Sequence, residues 1–305
     1  MSRPPGAEPG PESEAAAASE SASRSGSPGT RGSLLHTMLL VVLGVPLTAL
    51  FSAISLVGGI VHAPADLHDW VHRTWSRAIL RLGGIRVETS GLEHVEPWSA
   101  QVVVSNHQSL FDILALFAAL PVRLRFIAKM ELSRIPLFAG AMRQAGHVFI
   151  DRSNLRQALR AMRAAGGRMR EEGVTLCIFP EGTRSTSGRL QPFRKGSFVL
   201  AIETGTRVVP TAIEGGAAVL PRGGVLVRPR PIRIRCAPAI ELERLEREDR
   251  DALLDETREA IAGMLEALRG ERGGERGGEP GAPEAREPRE AGDERPAGPE
   301  GSPGA

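Results

Sequence analysis

Short apolar runs alternate with longer amphipathic segments from residue 85 onward. Runs rich in β-branched and aromatic residues predict strands, and the segments between them, with apolar residues three and four apart, predict helices. The predicted strands cover residues 85–89, 102–105, 125–128, 147–151, 174–179 and 208–213. The predicted helices cover residues 108–120, 155–171, 193–203 and 242–268. This β-α-β-α order predicts an α/β fold with a mostly parallel or mixed sheet flanked by helices.

A last run, residues 225–236, alternates apolar and basic positions toward its end. Ile232 and Ile234 would lie on one face and Arg233 on the other. Pro229 and Pro231 cannot donate to a ladder of backbone hydrogen bonds, so this run is predicted as an edge strand.

The longest apolar segment precedes the sheet. Residues 34–61 contain no Asp, Glu, Lys or Arg, and about 20 apolar residues suffice for a helix to cross the hydrocarbon core. Pro46 and the glycine pair 58–59 could kink this helix. A signal peptide is disfavoured by the length of the apolar region, and a buried core helix is the other alternative. We predict membrane attachment and leave open whether the segment spans the bilayer or folds back.

The following segment, 67–82, has helical periodicity with tryptophan at the margin of its apolar face. Arg73, Arg77 and Arg81 form a stripe on another face. This pattern is typical of a helix in a membrane interface, with its arginines toward lipid headgroups. The alternative is an amphipathic helix that packs on the folded domain.

The net charge of +2 is unevenly distributed along the chain. Residues 1–33 carry −1 and residues 270–305 carry −4, so the segment between them carries +7. Both ends are rich in glycine and proline and are predicted to be disordered, because they cannot bury enough apolar surface to offset chain entropy. The chain thus divides into a head (1–33), a membrane-attachment segment (34–82), a folded domain (83–269) and a tail (270–305).

The basic middle suits anionic phosphates and anionic lipid surfaces. It lacks the basic runs with interleaved aromatic residues that are typical of nucleic-acid binding, so no nucleic-acid partner is expected. Two cysteines cannot build a disulfide framework, and the scatter of the seven histidines argues against a dedicated metal cluster. Cys177 lies inside an apolar run and is predicted to be a buried thiol.

Polar residues follow the predicted strands, where ligands gather in open α/β sheets. His107 would lie in the turn after strand 102–105, with Asp112 in the next helix. A carboxylate that orients an imidazole and stabilises its protonated form makes the other ring nitrogen a useful base. The alternative is that these two residues only cap the helix.

A second polar cluster, residues 179–185, follows strand 174–179. Gly182 permits close backbone approach, Thr183 offers a hydroxyl, and Arg184 can grip phosphate bidentately. The alternative is a polar turn closed by a surface pair between Glu181 and Arg184.

Two further cations follow other strands. Lys129 comes directly after strand 125–128, and Arg152 follows strand 147–151. Either could contact a phosphate, and the alternative is solvent exposure or a salt bridge. Together the clusters indicate proton abstraction beside a phosphate-bearing substrate.

Four ordered blocks of residues resemble the glycerolipid acyltransferase family, in particular 1-acyl-sn-glycerol-3-phosphate acyltransferases. The family's N-H-x4-D motif is matched by residues 106–112, and its other blocks resemble residues 146–152, 179–185 and 209–213. The resemblance covers roughly residues 84–240 and identifies 83–269 as an acyltransferase domain.

The resemblance implies a one-step transfer at the surface of a membrane. His107 would take the proton from the sn-2 hydroxyl of a lysophosphatidic acid acceptor, which attacks the thioester of acyl-CoA or acyl-carrier protein to give phosphatidic acid. Asp112 would orient His107. The residues that would bind the acceptor phosphate or shape its pocket are Lys129, Arg152, Glu181, Gly182, Thr183 and Arg184. The partners would be both substrates and membrane lipids, without a metal or redox cofactor, at the cytoplasmic face of the cell membrane.

Three alternatives stay open at this point. The acceptor could be glycerol-3-phosphate, another lysophospholipid or a lyso-aminolipid, because such enzymes share the motifs. A thioesterase would leave the phosphate-type loop unexplained. A non-enzymatic protein that binds anionic lipid would use only the basic surface.

Overall fold

The computed structural model describes residues 28–150, 167, 169–204, 206–242 and 249–277. The strands are β1 Val87–Ser90, β2 Gln101–Ser105, β3 Arg123–Lys129, β4 Val148–Ile150, β5 Val174–Ile178, β6 Val208–Glu214 and β7 Ile232–Cys236. The α-helices are α1 Pro28–Leu39, α2 Val45–Ile60, α3 Ala65–Leu82, α4 Phe111–Ala119, α5 Phe138–Gln144, α6 Lys195–Thr204, α7 Gly216–Val219 and α8 Arg250–Gly277.

The strands form one seven-stranded sheet in the order β1-β7-β6-β2-β5-β3-β4. The five strands from β6 to β4 are parallel, whereas β7 is antiparallel to β6 and parallel to β1. The predicted α/β class with a mixed, mostly parallel sheet is confirmed. The carboxyl ends of the central strands β2, β5 and β6 therefore meet at one edge, where a site is expected.

The prediction that residues 225–236 form an edge strand is wrong. Strand β7 lies between β1 and β6. Pro229 and Pro231 both precede its first residue, so neither interrupts the ladder, and the backbone N–H of Ile232 donates to Arg86 O at 2.8 Å. The prolines thus mark where the strand begins.

Apolar residues pack on both faces of the sheet. Along β2, Val103 belongs to the cluster beneath α3 and α4, whereas Val102 and Val104 belong to the cluster beneath α6 and α8. Burial on both faces explains the continuous apolar run in the sequence, since a half-buried strand would alternate. Burying each such side chain stabilises the fold by roughly 2 kcal/mol.

The ends of the folded region differ from the predicted boundaries. Helix α1 begins at Pro28, inside the predicted head, and α8 continues to Gly277, inside the predicted tail. Residues 1–27 and 278–305 lie outside the described residues, as does most of the predicted helix 155–171.

The apolar segment forms nearly continuous helix. Residues Ser33–Ile60 are long and apolar enough to cross a membrane by length and composition. Pro46 lies at the start of α2, where a missing N–H is tolerated, and a π-helical turn, Leu40–Gly44, joins α1 to α2. The irregularity therefore precedes the proline, and α2 is unbroken through Gly58 and Gly59.

Helix α2 buries its polar face and exposes its apolar face, which is the reverse of a helix in a protein core. Ser52 and Ser55 are buried against the protein, while Leu50, Val57 and Ile60 are exposed. The hydroxyl of Ser55 lies 2.8 Å from His68 Nδ1 on α3. The polar face of α2 packs on the domain, and its apolar face points away from it.

Helix α3 packs on the folded domain, as the alternative interpretation of residues 67–82 proposed. Its buried residues include Val71, Ile79 and Leu80. Arg73 donates to Val122 O at 3.1 Å and Arg77 donates to Ala118 O at 3.2 Å. The two guanidinium groups therefore bind one carbonyl near the end of α4, that of Ala118, and one in the segment that follows α4, that of Val122. Their orientation toward lipid headgroups stays a prediction.

Candidate active site

Polar segments converge where the three central strands end. Strand β2 leads into Asn106 and His107, β5 leads into residues 179–185, and β6 leads into Gly215 and Gly216. The side-chain Nδ2 of Asn106 donates to Ile213 O, and its Oδ1 accepts the N–H of Ile213, at 2.8 Å each. The buried Asn106 thus fastens the end of β2 to β6 beside His107.

His107 and Asp112 form the predicted pair. The distance from His107 Nδ1 to Asp112 Oδ2 is 2.9 Å, and the two side chains are 13% and 0% exposed. Helix α4 begins at Phe111, so Asp112 lies in its first turn and closer to the preceding loop than the predicted helix 108–120 implied. A loop residue can therefore reach back to the carboxylate, which two positions on a regular helix five residues apart could not do.

The carboxylate of Asp112 is held by backbone groups. Its Oδ2 accepts N–H bonds from Gln108 at 2.6 Å and Ser109 at 2.7 Å. These donors stabilise the charge of the carboxylate, which in turn accepts a hydrogen bond from Nδ1–H of His107. Because an ionised carboxylate can only accept a hydrogen bond, Nδ1 carries the proton of this bond, and Nε2 of the imidazole is left able to accept a proton from a substrate.

Gly216 closes the other side of this carboxylate. A Cβ atom built on Gly216 would overlap Asp112 Oδ1, which is buried and has no hydrogen-bond partner among the described residues. Only glycine leaves room for Asp112 in its observed position. In the sequence, the signal for this close approach is the glycine pair that directly follows β6.

The imidazole of His107 stacks on Phe179. The ring centroids are 4.0 Å apart and the planes differ by 12°. Contact with this flat, half-buried surface restrains rotation of the imidazole, while Asp112 fixes its Nδ1. The ring is therefore oriented from two directions.

Glu181 supports the backbone of the same loop. Its oxygens accept N–H bonds from His107 at 2.7 Å and from Gln191 at 3.2 Å, and the residue is 4% exposed. Burial raises the pKa of Glu181 to about 7; the two N–H donors oppose this rise and the charge of Asp112 adds to it. The alternative of a surface pair with Arg184 is wrong, because the carboxylate is turned inward toward two backbone donors.

The predicted phosphate loop adjoins His107 directly. Gly182 has a φ of +72°, and its N–H donates to Phe179 O at 3.1 Å, so a left-handed residue makes the turn. Thr183 and Arg184 are half-buried, and the carbonyl of Arg184 accepts from Arg222 Nη1 at 3.3 Å. The N–H of Ser185 donates to His107 O at 2.8 Å. The structure thus joins this loop to both backbone groups of His107.

The other two predicted cations are incompletely placed. Lys129 is the last residue of β3, opposite Ile150 of β4, and its side chain lies outside the described residues. Asp151 and Arg152 also lie outside them. Their assignment to a phosphate site stays a prediction.

Cys177 lies on β5 and is buried, as predicted. Burial raises the pKa of its thiol well above the ordinary value, and the nearby charge of Asp112 adds to this shift. A thiol held protonated in this way is a poor nucleophile, so His107 is the reactive side chain that the edge of the sheet presents.

Residues 86–214 match the family model described as Acyltransferase. The chain is similar to the 1-acyl-sn-glycerol-3-phosphate acyltransferase of Limnanthes alba, at 34% identity over 54% of this chain and 58% of that protein. It is also similar to the 1-acyl-sn-glycerol-3-phosphate acyltransferase alpha of Mus musculus, at 35% identity over 59% of this chain and 64% of that protein. The chain therefore covers less than two thirds of the length of these curated relatives.

A solved structure supports the same family. The crystal structure of the 1-acyl-sn-glycerophosphate (LPA) acyltransferase PlsC from Thermotoga maritima aligns with a TM-score of 0.67 and 27% identity. The alignment covers 77% of this chain and 95% of that one. The predicted resemblance to the glycerolipid acyltransferases is confirmed, and it extends from the sequence blocks to the fold.

Proposed function

We propose that this protein transfers an acyl group from a thioester to the sn-2 hydroxyl of 1-acyl-sn-glycerol-3-phosphate, producing phosphatidic acid. The observation that carries the proposal is the His107–Asp112 pair, oriented by Phe179 and by backbone donors at the carboxyl edge of the sheet. Similarity to 1-acyl-sn-glycerol-3-phosphate acyltransferases supports the choice of acceptor.

The chemistry begins with removal of a proton from the acceptor. His107 Nε2 takes the hydroxyl proton while the hydroxyl oxygen attacks the thioester carbonyl. The tetrahedral intermediate collapses, the C–S bond breaks, and the proton on Nε2 passes to the departing thiolate. Asp112 stabilises the transient imidazolium through Nδ1. General-base help of this kind contributes about 10²–10⁴-fold, and the rest comes from holding the two substrates together.

The loop after β5 is the proposed phosphate site. Arg184 lies directly before Ser185, whose N–H bonds to the carbonyl of His107. A phosphate held by Arg184 would therefore be fixed relative to the base, as bidentate binding requires. Lys129 and Arg152 would add charge, and Gly182 and Thr183 would line the loop. Glu181 would act from behind it, by holding the N–H of His107.

The apolar face of α2 is proposed to lie in one leaflet at the cytoplasmic face of the membrane. Contacts along α2, from Thr48 with Trp75 to Ser55 with His68, join this helix to α3, so a full crossing would carry the charged residues of α3 into hydrocarbon. Free buried cysteines suit a reducing compartment, which supports the cytoplasmic face.

Liposome flotation tests this placement. Replacing the exposed Leu50 and Val57 with Glu should reduce flotation, whereas Trp98→Glu, elsewhere on the surface, should not. Equal flotation of these variants would contradict the placement.

One assay tests the activity. Purified protein is given acyl-CoA or acyl-carrier protein with a panel of lysophosphatidic acid, glycerol-3-phosphate and other lysophospholipids, and thiol release and lipid products are measured. We expect phosphatidic acid from lysophosphatidic acid, with none above background in His107→Ala. Thiol release without a new lipid would indicate a thioesterase. A preference for another acceptor would contradict the proposed substrate, and activity retained in His107→Ala would contradict the mechanism.

A further inference from the structure

The last helix reaches the active-site edge from outside the segment that matches the family model. Helix α8 is anchored in the core by Leu265 and Leu268, each 2% exposed. Arg269 follows directly, so its backbone is held by the packed core while its side chain extends to the surface. Any group that Arg269 binds is therefore held in a fixed position relative to the hydrophobic core.

Arg269 binds two acceptors near the catalytic motif. Its Nη2 donates to Gly188 O at 2.8 Å, and its Nε lies 3.3 Å from Glu214 Oε2. The buried amide of Gln108 donates to the same two acceptors, to Gly188 O at 3.1 Å and Glu214 Oε2 at 3.4 Å. Two donors and two acceptors thus form a ring, which we call the Arg269 ring.

The Arg269 ring connects to His107 and Asp112 by two routes. Gln108 follows His107, and its backbone N–H is one of the donors to Asp112 Oδ2. Along the loop, Ser185 Oγ donates to Arg189 O at 2.8 Å, and the N–H of Ser185 donates to the carbonyl of His107. The loop that carries Arg184 is therefore held at its far end by Gly188 and at its near end by His107.

We propose that Arg269 is a positioning residue, which holds the loop 185–189 and Gln108 in the arrangement that the proposed acyl transfer requires. This inference rests on the proposed function, and it assigns a role to a residue that neither the sequence motifs nor the matched segment 86–214 contains. Arg269 touches no reacting atom. It acts through Gly188 and Glu214.

Arginine suits this position because its guanidinium is a rigid fork. Nε and Nη2 lie in one plane and meet two acceptors on different chain segments, Gly188 and Glu214. A lysine is a single point charge on a flexible stem and loses this fixed geometry. Arg269→Lys should therefore recover part of the function that Arg269→Ala removes.

Glu271 provides a matched control on the same helix. It accepts from Arg235 Nη2 at 2.7 Å and so joins α8 to β7, away from the loop 185–189. Glu271→Gln removes an ion pair of α8 without touching the Arg269 ring. Comparing Arg269→Ala with Glu271→Gln separates positioning of the loop from general stabilisation of the helix.

The first measurement is steady-state acyl transfer with both substrates varied. We expect kcat of Arg269→Ala to fall by about ten- to a hundredfold, the loss typical of a misplacement near 1 Å, with smaller changes in both KM values. Arg269→Lys should lie between Arg269→Ala and wild type, and Glu271→Gln should match wild type. A kcat of Arg269→Ala equal to that of Glu271→Gln would overturn the proposal.

The second measurement does not depend on activity. Amide hydrogen exchange of the peptide containing Ser185 should accelerate in Arg269→Ala and, less strongly, in Arg269→Lys, but not in Glu271→Gln. Unchanged exchange in Arg269→Ala would overturn the proposal. If Arg269→Ala does not fold, the comparison of Arg269→Lys with Glu271→Gln decides by the same criteria. A wild-type protein without transferase activity would contradict the proposed function alone, and the exchange comparison would still decide the positioning role.

Discussion

Two histidines in family-like blocks have opposite chemistry. His107 Nδ1 meets the carboxylate of Asp112. His147 Nδ1 instead accepts the backbone N–H of Phe126 at 3.0 Å, and its Nε2 lies 3.3 Å from His72 Nε2. Burial, together with the nearby charge of Arg125, lowers the pKa of His147 to about 3. His147 stays neutral at any pH at which an enzyme of this kind would work.

Burial and the partner of Nδ1 both separate the two residues. Both side chains are largely covered, but Nδ1 of His107 meets a carboxylate, whereas His147 lies beside the guanidinium of Arg125, which opposes a positive charge on its ring. The carboxylate of Asp69 is bound to Arg125, at 2.6 Å, so it is not a hydrogen-bond partner of His147. His107 can therefore act as a base, and His147 is a packing residue between α3 and the sheet.

The largest expected effect comes from making His107 resemble His147. Asp112→Asn keeps the shape of the side chain but removes the charge that stabilises the imidazolium. We expect kcat to fall by about 10²–10⁴-fold, the range of general-base assistance, with the melting temperature little changed. Steady-state kinetics and thermal unfolding of Asp112→Asn check this. Loss of less than about tenfold would mean that the carboxylate does not distinguish the two histidines.

A smaller effect is expected when the carboxylate of Asp112 is displaced but keeps its charge. In Gly216→Ala the added Cβ must push Asp112 Oδ1 away, since both lie in a packed region. We expect activity to fall by about tenfold to a hundredfold from misplacement alone. Gly167→Ala is a matched control, because a Cβ there meets no atom of the described residues within 4 Å. Wild-type kinetics in Gly216→Ala would show that Asp112 can move away from the added Cβ without loss of activity.

The smallest effect on catalysis is expected at His147. Because its pKa in the folded protein lies below its unfolded value, the unfolded state binds more protons between about pH 6.5 and 3. Stability is fully present above pH 6.5 and is lost as pH falls, by up to about 1.4 kcal/mol per pH unit for this group. His147→Asn, whose amide oxygen can accept the N–H of Phe126, should show a shallower loss with little change in kcat.

Urea unfolding of wild type and His147→Asn at pH 7.5 and pH 5 measures the two slopes. Parallel declines would show that the buried imidazole does not titrate as proposed. His72, whose pKa is lowered by burial and by His147, contributes with the same sign. Removal of His147 weakens this contribution as well, which makes the decline of His147→Asn shallower still. Glu181 contributes with the opposite sign, since its raised pKa makes stability fall as pH rises from about 4.5 to about 7.

Most elements of the sheet could be predicted because strands buried on both faces have distinctive runs, such as the valines of β2. The pair of His107 and Asp112 could be predicted because the two residues are close in sequence, and its proximity to residues 179–185 because both segments follow strands of one parallel sheet. Periodicity describes which face of α2 is apolar but not whether protein or lipid covers it. For α2 the polar serines face inward, the reverse of a core helix.

The amino-acid sequence by itself determined the α/β class, the apolar helix, the base with its orienting carboxylate and the family resemblance. Tertiary structure alone decided the central position of β7, the bonds of Arg73 and Arg77 to the carbonyls of Val122 and Ala118, the contact of Gly216 with Asp112 and the Arg269 ring. The reason is physical. Local pattern records which side chains avoid water, whereas steric contacts and hydrogen bonds between distant residues exist only once the strand order brings them together.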